Sequence, residues 1–203
     1  MSNERNKEDL HQFWEDRYLS NSTGWDLNGV TPVFEDIAKD LVKGKICILG
    51  CGRGYDALMF AQKGFEVTAV DFAPSAIESL KQLSKKTKNL NIVQQDIFSL
   101  KSKFEGYFDY ILEQTCFCAI NPKKRPEYAR LVKSLLKKNG QLIGLWLPLD
   151  KQLEEGGPPY GTTVKEVKLY FGDNWLVERE EFSELSIDSR KNKEKLIIFK
   201  KIG

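Results

Sequence analysis

An α/β architecture is expected, with a seven-stranded, mostly parallel sheet covered by helices on both faces and an antiparallel C-terminal strand. Three observations lead there. Short apolar runs alternate with segments whose apolar residues recur at helical spacing as far as Trp146. The first run ends in Gly50, Gly52 and Gly54 at alternate positions, where a backbone can turn sharply and approach a ligand that any Cβ would obstruct. Beyond Trp146 the alternation stops, and two strand-like runs lie close together in sequence, so their natural pairing is antiparallel.

Taken in order, residues 7–19 read as a helix with Leu10, Phe13, Trp14 and Tyr18 on one face. A turn-prone break at 21–24 separates it from a second helix over 30–41, started by Pro32 and striped by Val33, Phe34, Ile37, Ala38 and Leu41. Residues 45–49 are a continuous apolar strand, as a parallel strand covered on both faces should be. Residues 56–63 form a helix ended by Gly64, 65–70 a strand, and 74–83 a helix with Pro74 in its first turn. Residues 90–94 are a strand leading to Asp96, and 107–112 a strand leading to Glu113. A helix follows over 125–137, with Tyr128, Leu131, Val132, Leu135 and Leu136 inward. Asn139-Gly140 signals a turn before a strand at 141–146. A loop rich in Glu, Gly and Pro covers 149–161, a helix is expected at 163–171, and strands at 175–185 and 193–201.

The chain has 203 residues with 41% apolar composition, the size of a single domain, 1–203, with a helical region at 1–42 before a core at 45–203. A net charge of +2 gives no basis for a nucleic-acid or membrane partner. The polar N-terminus lacks a signal-peptide core, no run is long enough to span a bilayer, and Cys47, Cys51, Cys116 and Cys118 make no Cys-x-x-Cys pair. A cytoplasmic chain is the simplest expectation. His11 is the only histidine, which argues against a His-centred metal site or a Ser-His-Asp triad.

Asp71, Asp96 and Glu113 stand at the carboxyl ends of successive strands, where an open α/β sheet forms its ligand crevice. Asp71 suits a ribose diol. Asp96, followed by Ile97 and Phe98, suits an adenine amine and its ring. Each acid alone fits a helix cap equally well; three in register with a glycine loop favour a ligand. Cys116 and Cys118 read as buried, inert thiols, and the lysines of 81–88 as a solvated helix face.

The chain resembles the class I S-adenosylmethionine-dependent methyltransferases and, more narrowly, the thiopurine and thiol/halide (thiocyanate) methyltransferase family. The resemblance rests on Trp25-Asp26 before Thr31-Pro32, the segment 49–56, Asp71, the segment Phe117-Cys118-Ala119-Ile120-Asn121-Pro122, the segment Gly156-Gly157-Pro158-Pro159-Tyr160, and the late tract 190–195. It implies a three-layer Rossmann-like fold and S-adenosyl-L-methionine as cofactor, with S-adenosyl-L-homocysteine as product. Trp25 would close over the methionine end, with Trp14 and Tyr18 completing a lid; from spacing alone, that aromatic stripe reads as core. Gly50 and Gly52 would pass beneath the methionine and sulfonium. Asp71 would hold the ribose, Asp96 and Ile97 the adenine, and Gln114 would touch the cofactor. Tyr18 stands where a second tryptophan is common, and Gln114 and Cys116 where plant-type members carry aromatics. Residues 156–160 are either a rigid loop or a wall over the acceptor pocket.

The implied reaction is methyl transfer to a small-molecule acceptor, a thiol, thiocyanate or halide, by a monomer or weak dimer. Such acceptors need no dedicated general base, and none is identified. Alternatives are a thiopurine, tellurite or selenium acceptor, and a non-catalytic cofactor-binding module. A nicotinamide-dependent dehydrogenase would require Gly-x-Gly-x-x-Gly, whereas position 55 is Tyr.

Overall fold

The computed structural model describes residues 6–203. Seven strands form one sheet in the order β3-β2-β1-β4-β5-β7-β6. These are β1 (Lys45–Leu49), β2 (Glu66–Asp71), β3 (Leu90–Gln94), β4 (Phe108–Gln114), β5 (Leu136–Trp146), β6 (Trp175–Glu181) and β7 (Lys195–Lys201). The first five pair in parallel; β7 lies antiparallel to both β5 and β6. The chain therefore reverses outward from β1, first toward β3 and then toward β4. Such a reversal opens a crevice at the carboxyl ends of the central strands.

The helices are α1 (His11–Leu19), α2 (Pro32–Asp40), α3 (Tyr55–Gln62), α4 (Pro74–Leu83), the single turn α5 (Lys101–Phe104), α6 (Arg125–Leu135) and α7 (Val164–Tyr170). Pro32 and Pro74 each open a helix at a position where the missing N–H costs nothing. Alternate residues of β1 feed two cores. Ile46 and Ile48 pack with Val33, Phe34 and Ile37 of α2 and Phe60 of α3, whereas Cys47 and Leu49 pack with Tyr128, Val132 and Leu135 of α6. This two-sided burial is why β1 carries no polar alternation.

Three elements depart from the sequence expectation. The helix expected over 7–19 begins as a 3-10 turn at Lys7–Asp9, with extended Leu10 separating it from α1. Tertiary bonds hold that turn apart from the helix. Glu8 is buried, its carbonyl accepts from Trp14 Nε1 at 3.0 Å, and its carboxylate accepts from Tyr160 Oη at 2.7 Å. The turn expected at Asn139-Gly140 becomes a bulge inside a longer β5. Register against β4 jumps from Phe108↔Leu136 to Tyr110↔Gln141, and Asn139 absorbs the kink at φ 64°. The short helix α5 carried no periodicity long enough to read. Phe104 buries it against the α6 side of the sheet.

Candidate active site

The loop after β1 is tied to the end of β2. Cys51 N donates to Val70 O at 2.9 Å, and Gly52 N donates to Asp71 Oδ2 at 2.9 Å. Ala73 N donates to the other carboxylate oxygen at 3.0 Å. Burial pushes the Asp71 carboxyl above its ordinary range, and the Ala73 and Gly52 N–H groups partly offset it. Gly54 has φ +79°, and a Cβ there would collide with the Leu80 side chain, so glycine suits the turn into α3.

Above this loop sits an aromatic roof. Trp14 and Tyr18 of α1 each meet Trp25 edge to face, with ring centroids 5.4 and 5.7 Å apart. The Trp25 segment is clamped from both sides. Arg190 Nη2 donates to the Trp25 carbonyl at 2.8 Å, and Arg53 Nε donates to Asp26 Oδ2 at 2.8 Å. Ser75, in the first turn of α4, donates N–H and Oγ to Glu15, docking α1. Lys124 pairs with Asp9 at 2.9 Å, so the N-terminal turn is bolted to both sides of the opening.

Between floor and roof lies a cavity of about 440 Å³, inside the ordinary range of about 300–1,000 Å³ for cofactor sites. Trp14, Tyr18, Trp25, Gly50, Asp71, Asp96 and Ile97 all line it. Gly52 and Gln114 instead line an adjoining recess of about 70 Å³, which shares Tyr18, Trp25, Gly50 and Thr115 with the larger space. Asp96 both faces the cavity and caps the 3-10 turn Ile97–Ser99 by accepting from Phe98 N at 3.0 Å. The cap of the sequence reading is thus present, and it leaves Asp96 on the cavity lining.

Glu113 does not join the other two acids. It is fully buried and accepts from Cys116 N and Phe117 N, at 3.1 and 2.8 Å, and from the Tyr128 hydroxyl. Its place at a strand end matched the crevice pattern, but its side chain turns under the chain reversal to satisfy two backbone donors. Burial raises its carboxyl to about 7, against the pull of those hydrogen bonds. The thiols facing the cavity behave as the sequence suggested. Burial pushes Cys116 well above its ordinary range and Cys118 up to about 12, so both stay protonated.

Several lining residues had no role in the sequence reading: Arg17, Thr115, Lys124 and Leu147; Arg190 figured there only as part of the tract 190–195. Arg17 had a usable signal, three positions after Trp14 on the same helix. Thr115 had none. It holds φ 59°, rare for a β-branched residue, and only the fold reveals that turn. Arg125, also unforeseen, is fully buried; it donates to the Tyr160 and Gly161 carbonyls and pairs with Glu166, fixing the Gly-Gly-Pro-Pro-Tyr loop.

The residues fit an adenosyl cofactor on the structure's own terms. A Cβ at Gly52 would come within 3.1 Å of the Tyr18 hydroxyl, and Gln114 Nε2 is buried in the recess without a partner among the described residues. With the strand order 3-2-1-4-5-7-6, the chain has the class I S-adenosylmethionine-dependent methyltransferase fold. The solved 1,6-didemethyltoxoflavin-N1-methyltransferase of Burkholderia thailandensis, with S-adenosylhomocysteine bound, shares the fold at a TM-score of 0.78 and 16% identity, over 100% of this chain and 93% of that one. Residues 10–201 match the family model for thiopurine S-methyltransferase, and the chain belongs to that family. It is 34% identical over 200 residues to "Probable thiol methyltransferase 2" of Arabidopsis thaliana, covering 93% of this chain and 84% of the relative. It is also 34% identical to thiocyanate methyltransferase 1 of Brassica oleracea, covering 94% and 85%. S-adenosyl-L-methionine is its cofactor. No helix among the described residues is long and apolar enough to cross a membrane.

Proposed function

We propose that the chain moves the methyl group of S-adenosyl-L-methionine to a small soft nucleophile: a thiol, thiocyanate or a halide. The supporting observation is the wall opposite the adenosine side. Cys118, Ala119, Ile120, Leu147, Pro158 and Pro159 give the cavity an apolar stretch of lining suited to a soft, weakly hydrated guest. The names of the plant relatives point the same way.

In this reading Asp71 accepts from the ribose hydroxyls with the lone pairs left by its two backbone donors. Asp96 accepts from the adenine amine, and Ile97 covers the ring. Gly50, Gly52 and Gln114 receive the methionine end in the smaller recess, beneath Trp25, Trp14 and Tyr18. The bound cofactor supplies an electrophilic methyl on a sulfonium. The protein's own part is alignment, which is worth about 7–11 kcal/mol when the reacting atoms are held in line. The apolar wall strips water from the acceptor, and the aromatic roof keeps bulk water out. A thiolate, thiocyanate or halide enters already anionic, so nothing is asked of Cys116 and Cys118, whose thiols burial pushes up. The unpaired edge strand β6 carries Glu178, Arg179, Glu180 and Glu181, a charged edge that favours a monomer or weak dimer.

The test is competition among hydrosulfide, thiocyanate, iodide, an aryl thiol and a thiopurine for methyl transfer from labelled cofactor. Preference for the small anions is expected. A clear preference for the thiopurine would move the assignment to the bulkier acceptor.

A further inference from the structure

The cavity wall holds seven charged side chains: Glu8, Asp9, Asp71 and Asp96, and Arg17, Lys124 and Arg190. Six of them are engaged. Glu8 holds the Tyr160 hydroxyl, and Asp9 and Lys124 hold each other. Asp71 and Asp96 accept backbone N–H groups, while Arg190 holds the Trp25 carbonyl and lies 3.8 Å from Glu194. Arg17 alone has no side-chain hydrogen bond and no ion pair among the described residues. It is nonetheless fixed in place. Its guanidinium lies 4.7 Å from the Phe13 ring centroid and 6.0 Å from each of Trp14 and Trp25. A half-buried guanidinium propped on three aromatic rings presents a rigid fork of N–H donors to whatever enters.

We propose that Arg17 is the acceptor-selecting residue of this site, a fixed cation at the cavity mouth that favours anionic acceptors over neutral ones. The proposal rests on the small-nucleophile reading above. Arg17 lines the large cavity and not the recess with Gly52 and Gln114, so it stands apart from the place given to the methionine carboxylate. A positive charge beside a sulfonium is unfavourable unless an anion comes between them, and the attacking acceptor is that anion. Its negative charge is consumed as its bond to the methyl carbon forms and the carbon–sulfonium bond breaks. The methylated product carries one negative charge fewer, is attracted less to Arg17 and leaves. A single unpaired cation beside the path of the acceptor favours anions over neutral molecules, and does so less at high salt.

The experiment uses three small thiols whose thiolates differ in net charge: cysteamine (zero), 2-mercaptoethanol (minus one) and mercaptoacetate (minus two). kcat/KM is corrected for thiolate fraction and measured at low and physiological ionic strength. The parent should favour mercaptoacetate and lose that preference with salt. Arg17→Gln should compress the mercaptoacetate-to-cysteamine ratio about tenfold and flatten its salt dependence, whereas Arg17→Lys should retain both. Calorimetry should give both variants the parent's affinity for S-adenosylhomocysteine. Equal loss on all three thiols, or weakened binding of S-adenosylhomocysteine, would overturn the proposal and make Arg17 a packing or cofactor residue. A parent inactive on every thiol, on thiocyanate and on iodide would sink the acceptor class itself; a parent active on the thiols with an uncompressed ratio in Arg17→Gln sinks the role of Arg17 alone.

Discussion

Replacing Glu113 by Gln should make the protein increasingly more stable than the parent as pH rises from about 4.5 to about 7. The folded carboxyl titrates near 7 because it is sealed beneath the Cys116–Phe117 turn, while its ordinary value is 4.5. Between those two values the unfolded chain has already released its proton and the folded chain still holds it. Stability therefore falls as pH rises through this window, by about 1.4 kcal/mol per pH unit, and levels off above it at a total cost of about 3 kcal/mol. Glutamine presents a carbonyl oxygen to the Cys116 and Phe117 N–H groups and an amide to the Tyr128 hydroxyl oxygen, and it does not titrate. Urea unfolding of parent and variant, followed by tryptophan fluorescence from pH 5 to pH 8, tests this. The two should have similar stability at pH 5 and differ by about 3 kcal/mol at pH 8 in favour of the variant. Asp56, raised by burial to about 6, gives both proteins a further pH dependence that cancels in the difference. Parallel pH curves separated by a constant gap would refute the assignment of the titration to Glu113.

Asp71→Asn leaves one of the Gly52 and Ala73 N–H groups facing an amide NH₂, so it should cost about 1–3 kcal/mol of stability. The same change should weaken S-adenosylhomocysteine binding in calorimetry by at least about tenfold, the loss of a charge-assisted ribose contact. Gly54→Ala combines a left-handed φ with a collision against Leu80, and denaturant unfolding should show a loss of about 2–5 kcal/mol. Trp25→Ala should abolish most of the tryptophan-fluorescence change on binding S-adenosylhomocysteine and raise its Kd, whereas Trp175→Phe, in the distant core beside Phe171 and Phe199, should leave the signal intact.

Much of this was legible in the sequence because the signals were local. A β1 buried on both faces must be apolar throughout, and residues 45–49 are. A helix opened by proline declares its own start, so residues 74–83 were placed to the residue. The glycine loop and Asp71 could be joined because a strand end and a loop follow from chain order alone. What escaped was tertiary. The split of the first helix depends on Tyr160 and Lys124, far along the chain. The inward turn of Glu113 depends on which side of β4 meets α6. The left-handed Thr115 has no counterpart in residue spacing.

The bolts across the N-terminal turn impose an order of traffic. Glu8 to Tyr160, Asp9 to Lys124 and Trp25 to Arg190 tether the same covering segments to three separate parts of the rim. Undoing these tethers together would widen the passage for a guest the size of adenosine more than a few-atom anion requires. Exchange of the spent nucleoside should therefore be the slow passage of each cycle, and the covering segments act as its clock.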